Sequence, residues 1–306
     1  MTSLTGIRAA SGRSSSRRAA PPRPLLTVAA LVAALALVPL VYLVLRTIDG
    51  GSSAIETLLR PRTLELIVST FVLGNAVIVG AVAMGVPLAW LTMRTDLPAR
   101  RVWSVLAIAP LAVPSYLLAF AFVGAFAPRG WLGGLGVPSV YGFWGAALVL
   151  SLATMPYVVI ATRAALARLD PATEEAARSL GRGPWAAART AILPVLLPAI
   201  GAGALLACLY AISDFGAVSI LRYDTLATAI YSQYRFSFDR SSAAALALLL
   251  LVLALGLVWA EGRIRRRAAL NTPHGRRRLP APVALGHWRL PALLFCASVA
   301  LLALGI

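Results

Sequence analysis

Residues 163–185 read Arg163-Ala-Ala-Leu-Ala-Arg-Leu-Asp170-Pro171-Ala-Thr-Glu174-Glu175-Ala176-Ala177-Arg178-Ser179-Leu-Gly181-Arg182-Gly183-Pro184-Trp185 and lie between two long hydrophobic stretches. Asp170 can cap a helix that begins at Pro171, where the missing backbone N–H costs nothing. Glu174 and Glu175 then lie near the positive end of the helix dipole, which favours carboxylates. The pattern predicts a capped helix in a polar connection between two apolar helices.

The same connection carries a stop signal and a second start signal. Gly181 suits the left-handed conformation that ends many helices, and Gly183-Pro184 can begin a second short helix. Small residues on the first helix would let a partner approach closely, because one face carries Ala172, Glu175, Ala176 and Ser179. The alternative is an ordinary solvated connector between membrane helices, although such connectors are usually shorter.

Glu175-Ala176-Ala177, then Gly181, then Leu193-Pro194 is similar to the "EAA" loop of the permeases of ATP-binding-cassette (ABC) importers. In that family the loop is the socket that receives the motor ATPase. The resemblance therefore implies that residues 164–194 form an ATPase-coupling loop, with Asp170, Glu174, Glu175, Ala176, Ala177, Gly181, Leu193 and Pro194 as its residues. Ala191 departs from the family, which usually has Ile or Val there, and this weakens a packing contact.

Composition independently predicts an all-α, polytopic membrane helix bundle. Hydrophobic residues make up 59% of the chain and charged residues 13%. Apolar runs long enough to cross roughly 30 Å of hydrocarbon recur along it. We predict six spans plus an incomplete seventh, at about residues 25–45, 66–93, 102–127, 143–161, 195–213, 242–259 and 290–306.

The distribution of arginine predicts the orientation. All 28 basic residues are arginine, and 21 of them lie before residue 25 or within residues 94–101, 163–189 and 263–289. The positive-inside rule places these segments, and therefore the N-terminus, in the cytoplasm. Residues 1–24 are predicted to be a disordered basic tail that leads into an uncleaved first span. Binding to nucleic acid would be indicated by a folded basic face with interleaved aromatic residues, and the sequence shows no such face.

The sequence argues against a resident cofactor, a metal site and an ATP site. A phosphate-binding loop of the Walker type needs lysine, and the chain has none. Cys208 and Cys296 fall inside predicted spans, and His274 and His287 lack ligand spacing with any cysteine or carboxylate. We therefore expect no enzyme activity in this chain and an ATPase on a separate subunit. An intramembrane enzyme is a weaker alternative.

Polar residues within the spans are rare enough to be candidates for a translocation pathway. Asn75 lies in the second span, and Asp214 ends the fifth. A polar or ionisable group is costly to leave in lipid, and this cost makes such a residue a functional candidate. For Asp214 the alternative is an ion pair with Arg222 at the membrane interface.

The segment after the fifth span is rich in aromatic residues and arginine. Such residues are common at protein–protein contacts and also in interfacial belts. Residues 212–231, together with Gly85-Val86-Pro87-Leu88-Ala89-Trp90-Leu91 and Arg94-Thr95-Asp96-Leu97-Pro98, are similar to bacterial iron(III) ABC-importer permeases. That resemblance implies ferric iron as the cargo and contact with an extracytoplasmic solute-binding protein, for which the candidates are Arg222, Tyr223, Asp224, Tyr231 and Tyr234. Thiamine and polyamine permeases share the architecture, and no residue indicates an iron ligand.

The resemblance also predicts the organisation of the chain. Residues 25–260 would form one six-span permease domain and residues 261–289 an Arg/Pro-rich cytoplasmic linker. Residues 290–306 would start a second permease half that this sequence does not complete. Expected partners are two copies of the ABC ATPase subunit, a solute-binding protein, a second permease half or copy, and the lipid bilayer of the cell membrane. A membrane sensor or scaffold with the same fold is the alternative of another class.

Overall fold

The computed structural model describes residues 23–128, 130, 132, 140–169, 179, 190, 192–237, 239–269 and 283–305. The chain divides into two compact units, residues 1–42 and 43–306. Most of the predicted tail and of the 164–194 loop lies outside the described residues, as do residues 270–282 of the predicted linker. The helices in chain order are α1 Arg23–Asp49, α2 Gly51–Leu59, α3 Pro61–Arg94, α4 Arg100–Leu106, α5 Ser115–Phe126, α6 Phe143–Leu166, α7 Leu193–Ser213, α8 Gly216–Ile220, α9 Leu226–Arg235, α10 Arg240–Ala269 and α11 Arg289–Ala303.

The predicted membrane bundle is confirmed. Six of the described helices are long and apolar enough to cross a membrane, and a bent helix pair brings the total to seven. In the first unit, the part of α1 up to Tyr42 consists of exposed, mainly apolar side chains. Apolar side chains exposed along a helix of this length are suited to contact with lipid.

The third span is broken, whereas the sequence predicted one apolar run. Arg100–Ala112 and Ser115–Phe126 meet at an angle of 102°. A short 3₁₀ helix, Ala109–Ala112, holds Pro110, and Pro114 directly precedes α5. A proline removes a backbone donor and clashes with the preceding turn, which explains the interruption.

Helices α3, α6 and α7 form the centre of the second unit. In α6, 72% of the membrane-spanning window is buried. Two glycines permit the close packing: a Cβ at Gly85 would lie 3.0 Å from Val158 Cβ, and one at Gly203 would lie 2.7 Å from Val158 Cα. Gly74 lies in the same way beside Cys208 and Ile212.

These contacts fix the helix directions. Gly80 lies beside Ser151 and Gly85 beside Val158, so α3 and α6 run parallel. Helix α7 runs antiparallel to both, because its residues 203 and 208 meet α6 residue 158 and α3 residue 74 respectively. We call the end where α3 and α6 finish and α7 begins the arginine-rich end. The opposite end, which holds Tyr141 and Tyr223, is called the aromatic end.

The region predicted as an outer loop, residues 222–241, contains a helix. Helix α9 begins after Thr225, whose side chain accepts a hydrogen bond from the Thr228 backbone N–H. The Thr228 side chain accepts in return from the Thr225 N–H, which completes a capping box. Local capping therefore starts a helix in this region.

Candidate functional site

The described ends of the predicted coupling loop lie together at the arginine-rich end. Leu166 closes α6 and Leu193 opens α7. Pro194 occupies the first turn of α7, where a backbone donor is not required. Ile192 is buried against the core, whereas Leu193 is 39% exposed. Within the loop, the sequence-predicted residues outside the described ranges are Asp170, Glu174, Glu175, Ala176, Ala177 and Gly181.

Two arginines flank the base of this loop. Arg94 is only 4% exposed, and its guanidinium lies 5.5 Å from the centre of the Trp90 ring. Arg163, near the end of α6, has a buried Nη1 without a hydrogen-bond partner in the described part of the chain. The sequence analysis used both arginines only to predict the orientation of the chain. Their burial could not be predicted, because it depends on how α3 and α6 pack.

Asn75 lies on the outer surface of this unit and not in its core. Its side-chain amide donates to the Phe71 carbonyl over 2.8 Å, which occupies one of its two N–H groups. The stripe of α3 that carries it is otherwise apolar and exposed: Leu64, Val68, Val72 and Val79 are 62%, 60%, 48% and 68% exposed. Asn75 is thus an amide at membrane depth on an uncovered helix face.

Asp214 is a buried structural acceptor. It is 9% exposed and accepts hydrogen bonds from Ser115 Oγ at 2.5 Å and from the Ala217 N–H at 2.8 Å. The alternative ion pair is not formed between these described residues, since the Arg222 guanidinium lies over the Tyr141 ring, 4.6 Å from its centre. Asp214 therefore joins α5 to the start of α8.

All five predicted contact residues at the aromatic end contact neighbours outside their own helix or turn. Tyr223 donates to the Ser69 carbonyl over 3.3 Å, and its ring lies 5.7 Å from that of Phe143. Asp224 pairs with Arg62 at 2.5 Å. The other pairs are Arg222 with Tyr141 and Tyr231 with Phe215.

Tyr234 completes the set, beside Arg240. Arg222, Asp224, Tyr231 and Tyr234 are all exposed. The sequence reasoning missed Tyr141, which lies beside Arg222, and also Ser69 and Phe143, which lie beside Tyr223. These partners lie far from residues 222–234 in the chain, and no local pattern connects them. The result is a polar and aromatic surface whose side chains are preorganised.

Within the described ranges, no group of three or more His, Cys, Asp or Glu side chains is arranged to hold a metal ion. Cys208 and Cys296 are buried as free thiols on α7 and α11. The described surface therefore offers hydrogen-bonding and aromatic groups for recognition, and no assembled metal centre.

A family model described as "binding-protein-dependent transport system inner membrane component" matches residues 81–269. The Fe(3+)-transport system permease protein FbpB 2 of Haemophilus influenzae is 34% identical over 206 residues, which is 67% of this chain and 38% of that protein. The molybdenum transport system permease protein ModB of Escherichia coli is 31% identical over 138 residues, which is 44% of this chain and 60% of that protein.

Among solved structures, a bacterial alginate ABC transporter in complex with an alginate-bound periplasmic protein matches with a TM-score of 0.62. The match has 18% identity and covers 79% of this chain and 94% of the other, so it shows a shared fold. This chain spans only 38% and 60% of the two curated relatives. Because the family model covers more than half of it, the chain belongs to the family of binding-protein-dependent transport system inner membrane components.

Proposed function

We propose that this chain is a transmembrane permease subunit of an ATP-driven importer. The observation that carries the proposal is the family match over residues 81–269, which includes the polar connection between α6 and α7. The all-helical bundle and its similarity to a solved ABC transporter support the same function. ATP hydrolysis would take place on a separate subunit, since the chain has no lysine for a phosphate-binding loop.

The loop of residues 164–194 would be the surface that receives the ATPase. In support, α6 and α7 are the most enclosed part of the bundle, and both ends of the loop lie at the arginine-rich end. A force applied to the loop would therefore act directly on the two helices that pack tightly against α3. ATP-driven closure of two ATPase copies would then move the bundle from an inward-open to an outward-open state.

The aromatic end would face outward and receive a cargo-loaded solute-binding protein. Its exposed candidates Arg222, Asp224, Tyr231 and Tyr234 combine charge with aromatic area, the composition that often contributes most to a protein interface. The released cargo would pass along the exposed stripe of α3, where the amide oxygen of Asn75 has no hydrogen-bond partner among the described residues.

A second permease half, or a second copy, would face this one. One coupling loop engages one ATPase, whereas ATP closure in such importers needs two held face to face. The exposed stripe around Asn75 supports the requirement, because an amide at membrane depth is more stable against protein or a polar path than against lipid. The complete assembly would lie in the cell membrane with the N-terminus of this chain in the cytoplasm.

We propose ferric iron as the cargo. The support is the 34% identity with a ferric-iron permease protein over two thirds of this chain. A second candidate is an oxyanion, because other relatives are named for molybdenum and sulfate transport at 31% identity over shorter segments. The residues themselves do not separate these cargoes, since the permease would receive them from a binding protein that selects the ligand.

The experiment that tests this proposal is co-purification followed by ligand analysis. The full chain, with the ATPase and binding protein encoded beside it, is purified in detergent, and the metals and anions retained by the binding protein are measured. Iron bound to a protein that stimulates the ATPase through this chain would support the proposal. Molybdate or sulfate in its place would transfer the assignment to an oxyanion. If neither an ATPase nor a binding protein is encoded by the neighbouring genes, and neither is found in the purified complex, a sensor or scaffold would be favoured.

A further inference from the structure

The function proposed above gives no role to one turn, Arg94-Thr95-Asp96-Leu97-Pro98. In the structure this turn contacts the segment that precedes α11. Helix α3 ends at Arg94, and Thr95 is extended. Thr95 forms a parallel β-bridge with Val283. The Val283 N–H donates to the Arg94 carbonyl over 2.7 Å, and the Asp96 N–H donates to the Val283 carbonyl over 3.2 Å. A single extended segment is thus paired against the turn between α3 and α4.

The Asp96 side chain adds two contacts to this backbone pairing. One carboxylate oxygen accepts the Leu285 N–H at 2.9 Å, and the other forms an ion pair with Arg289. The pKa of Asp96 lies below its ordinary value, because the Leu285 N–H and then the Arg289 guanidinium stabilise the carboxylate. Both donors belong to the segment that leads into α11, so Asp96 recognises that segment specifically.

The charge pattern explains why one acidic residue matters here. Asp96 is the single acidic residue in the 94–101 turn, which also contains Arg94, Arg100 and Arg101. The segment of residues 283–289 that reaches this turn brings one more arginine, Arg289. Without Asp96, Arg289 would approach a turn that carries only positive charge and would be repelled. The Asp96 carboxylate attracts Arg289 instead.

The helix that follows is seated in the core of the same unit. Helix α11 buries one face, with Ala292 8%, Cys296 1%, Val299 5% and Ala303 0% exposed. These side chains belong to the hydrophobic cluster that also contains Leu88 of α3 and Met155 of α6. The opposite face of α11 is uncovered, with Leu290, Leu294 and Leu301 more than half exposed. Helix α11 therefore packs on the six-span domain although it lies outside the family match.

We propose that the turn of residues 94–97 is a docking site for an extended segment followed by an arginine, and that it receives residues 283–289. Docking there fixes where α11 enters the membrane against α3 and α6. If residues 290–306 begin a second permease half, an assignment that rests on the proposed function, the turn sets the position of that half relative to this one. The docking itself is independent of transport.

The test uses the full chain in membrane vesicles, with Cys208→Ala and Cys296→Ala to remove the native thiols. Thr95→Cys and Val283→Cys form the reporter pair, because residues across a β-bridge lie within the roughly 4.4–6.8 Å Cα separation that a disulfide spans. A protease site inserted after Gly275 separates the two parts after oxidation, so only crosslinked chains stay joined on a denaturing gel.

We expect the parent chain to crosslink readily. Asp96→Ala should lower the initial rate of crosslinking by about three- to tenfold, the effect of losing an ion pair and a charge-assisted hydrogen bond. Arg289→Gln should give a smaller decrease, because the Leu285 N–H keeps its acceptor. Arg168→Gln, an exposed arginine at the same end of the bundle but outside both segments, is the matched control and should leave the rate unchanged.

Equal crosslinking rates in the parent and in Asp96→Ala would overturn the docking role of Asp96. Failure of the parent to crosslink, in protein that remains monodisperse on size-exclusion chromatography, would overturn the docking of the segment. Neither result depends on cargo or ATPase. A chain that docks the segment but supports no uptake would contradict only the proposed function.

Discussion

Ser115 Oγ donates a 2.5 Å hydrogen bond to Asp214, across 99 positions of the chain. Each residue stands at an interruption in a membrane helix. Ser115 begins α5 after the 102° bend, and Asp214 directly follows α7 and accepts a hydrogen bond from the Ala217 N–H in α8. The pair therefore joins two breaks that would otherwise leave polar backbone groups without support at membrane depth.

The first prediction follows from this pair. Asp214→Ala removes an acceptor from both Ser115 and the Ala217 N–H, and should destabilise the protein by about 1.5–3 kcal/mol, as for hydrogen bonds to charged groups. Thermal stability of the detergent-solubilised protein, followed by size-exclusion chromatography, measures this. Ser219→Ala is the control, because the Ser219 hydroxyl donates to the Gly216 carbonyl within the same helix and to no other described residue. An Asp214→Ala protein of unchanged stability that has lost uptake would make Asp214 a pathway residue instead.

The second prediction concerns the packing of α7 on α6. A Cβ at Gly203 would lie 2.7 Å from Val158 Cα and 2.9 Å from the Tyr157 carbonyl oxygen, and backbone atoms cannot move aside. Gly203→Val should therefore cost about 1–3 kcal/mol or more and lower the yield of folded protein. A Cβ added at Gly201, on the same helix, would meet no described atom within 4 Å, so Gly201→Val serves as the control. Equal yields for the two variants would contradict the helix packing described here.

How much the sequence could predict is clear from particular residues. The long helices followed from hydrophobic runs, because crossing a bilayer needs about 20 apolar residues whatever their neighbours are. The break before Ser115 was harder to predict. The sequence contains Pro110 and Pro114 there, but membrane helices often tolerate proline without breaking. The contacts of Asp214 with Ser115 and of Asp96 with Leu285 could not be predicted, because the partners lie 99 and 189 positions away and only the packing of several helices brings them together.

The third prediction tests the coupling loop. Gly181→Val should leave the protein inserted and folded, while the ATPase no longer co-purifies, because a β-branched residue cannot take the left-handed turn that we predict there. Gly262→Val on α10 meets open space and is the control for a bulky residue outside this loop. If the ATPase is retained equally by both variants, residues 164–194 are not the docking surface.

The fourth prediction concerns orientation. Residues 164–194 and 261–289 should face the cytoplasm, and residues 128–141 and 222–241 should face outward. In a chain without native cysteines, Ser179→Cys should resist a membrane-impermeant thiol reagent in intact cells, whereas Ser237→Cys should react. Both positions are exposed, so burial does not protect either thiol. Labelling of Ser179→Cys from outside would reverse the orientation.

The central claim is that this chain is one half of an ATP-driven importer, and the most direct measurement is uptake in proteoliposomes. The chain is reconstituted with its ATPase and iron-loaded binding protein, with and without a second permease half that carries its own Glu-Ala-Ala loop. The account predicts ATP-dependent iron accumulation only when two coupling loops are present, on a second half or on a second copy. Iron uptake by a permease shown to be monomeric, or no ATP-dependent uptake in any combination, would contradict it.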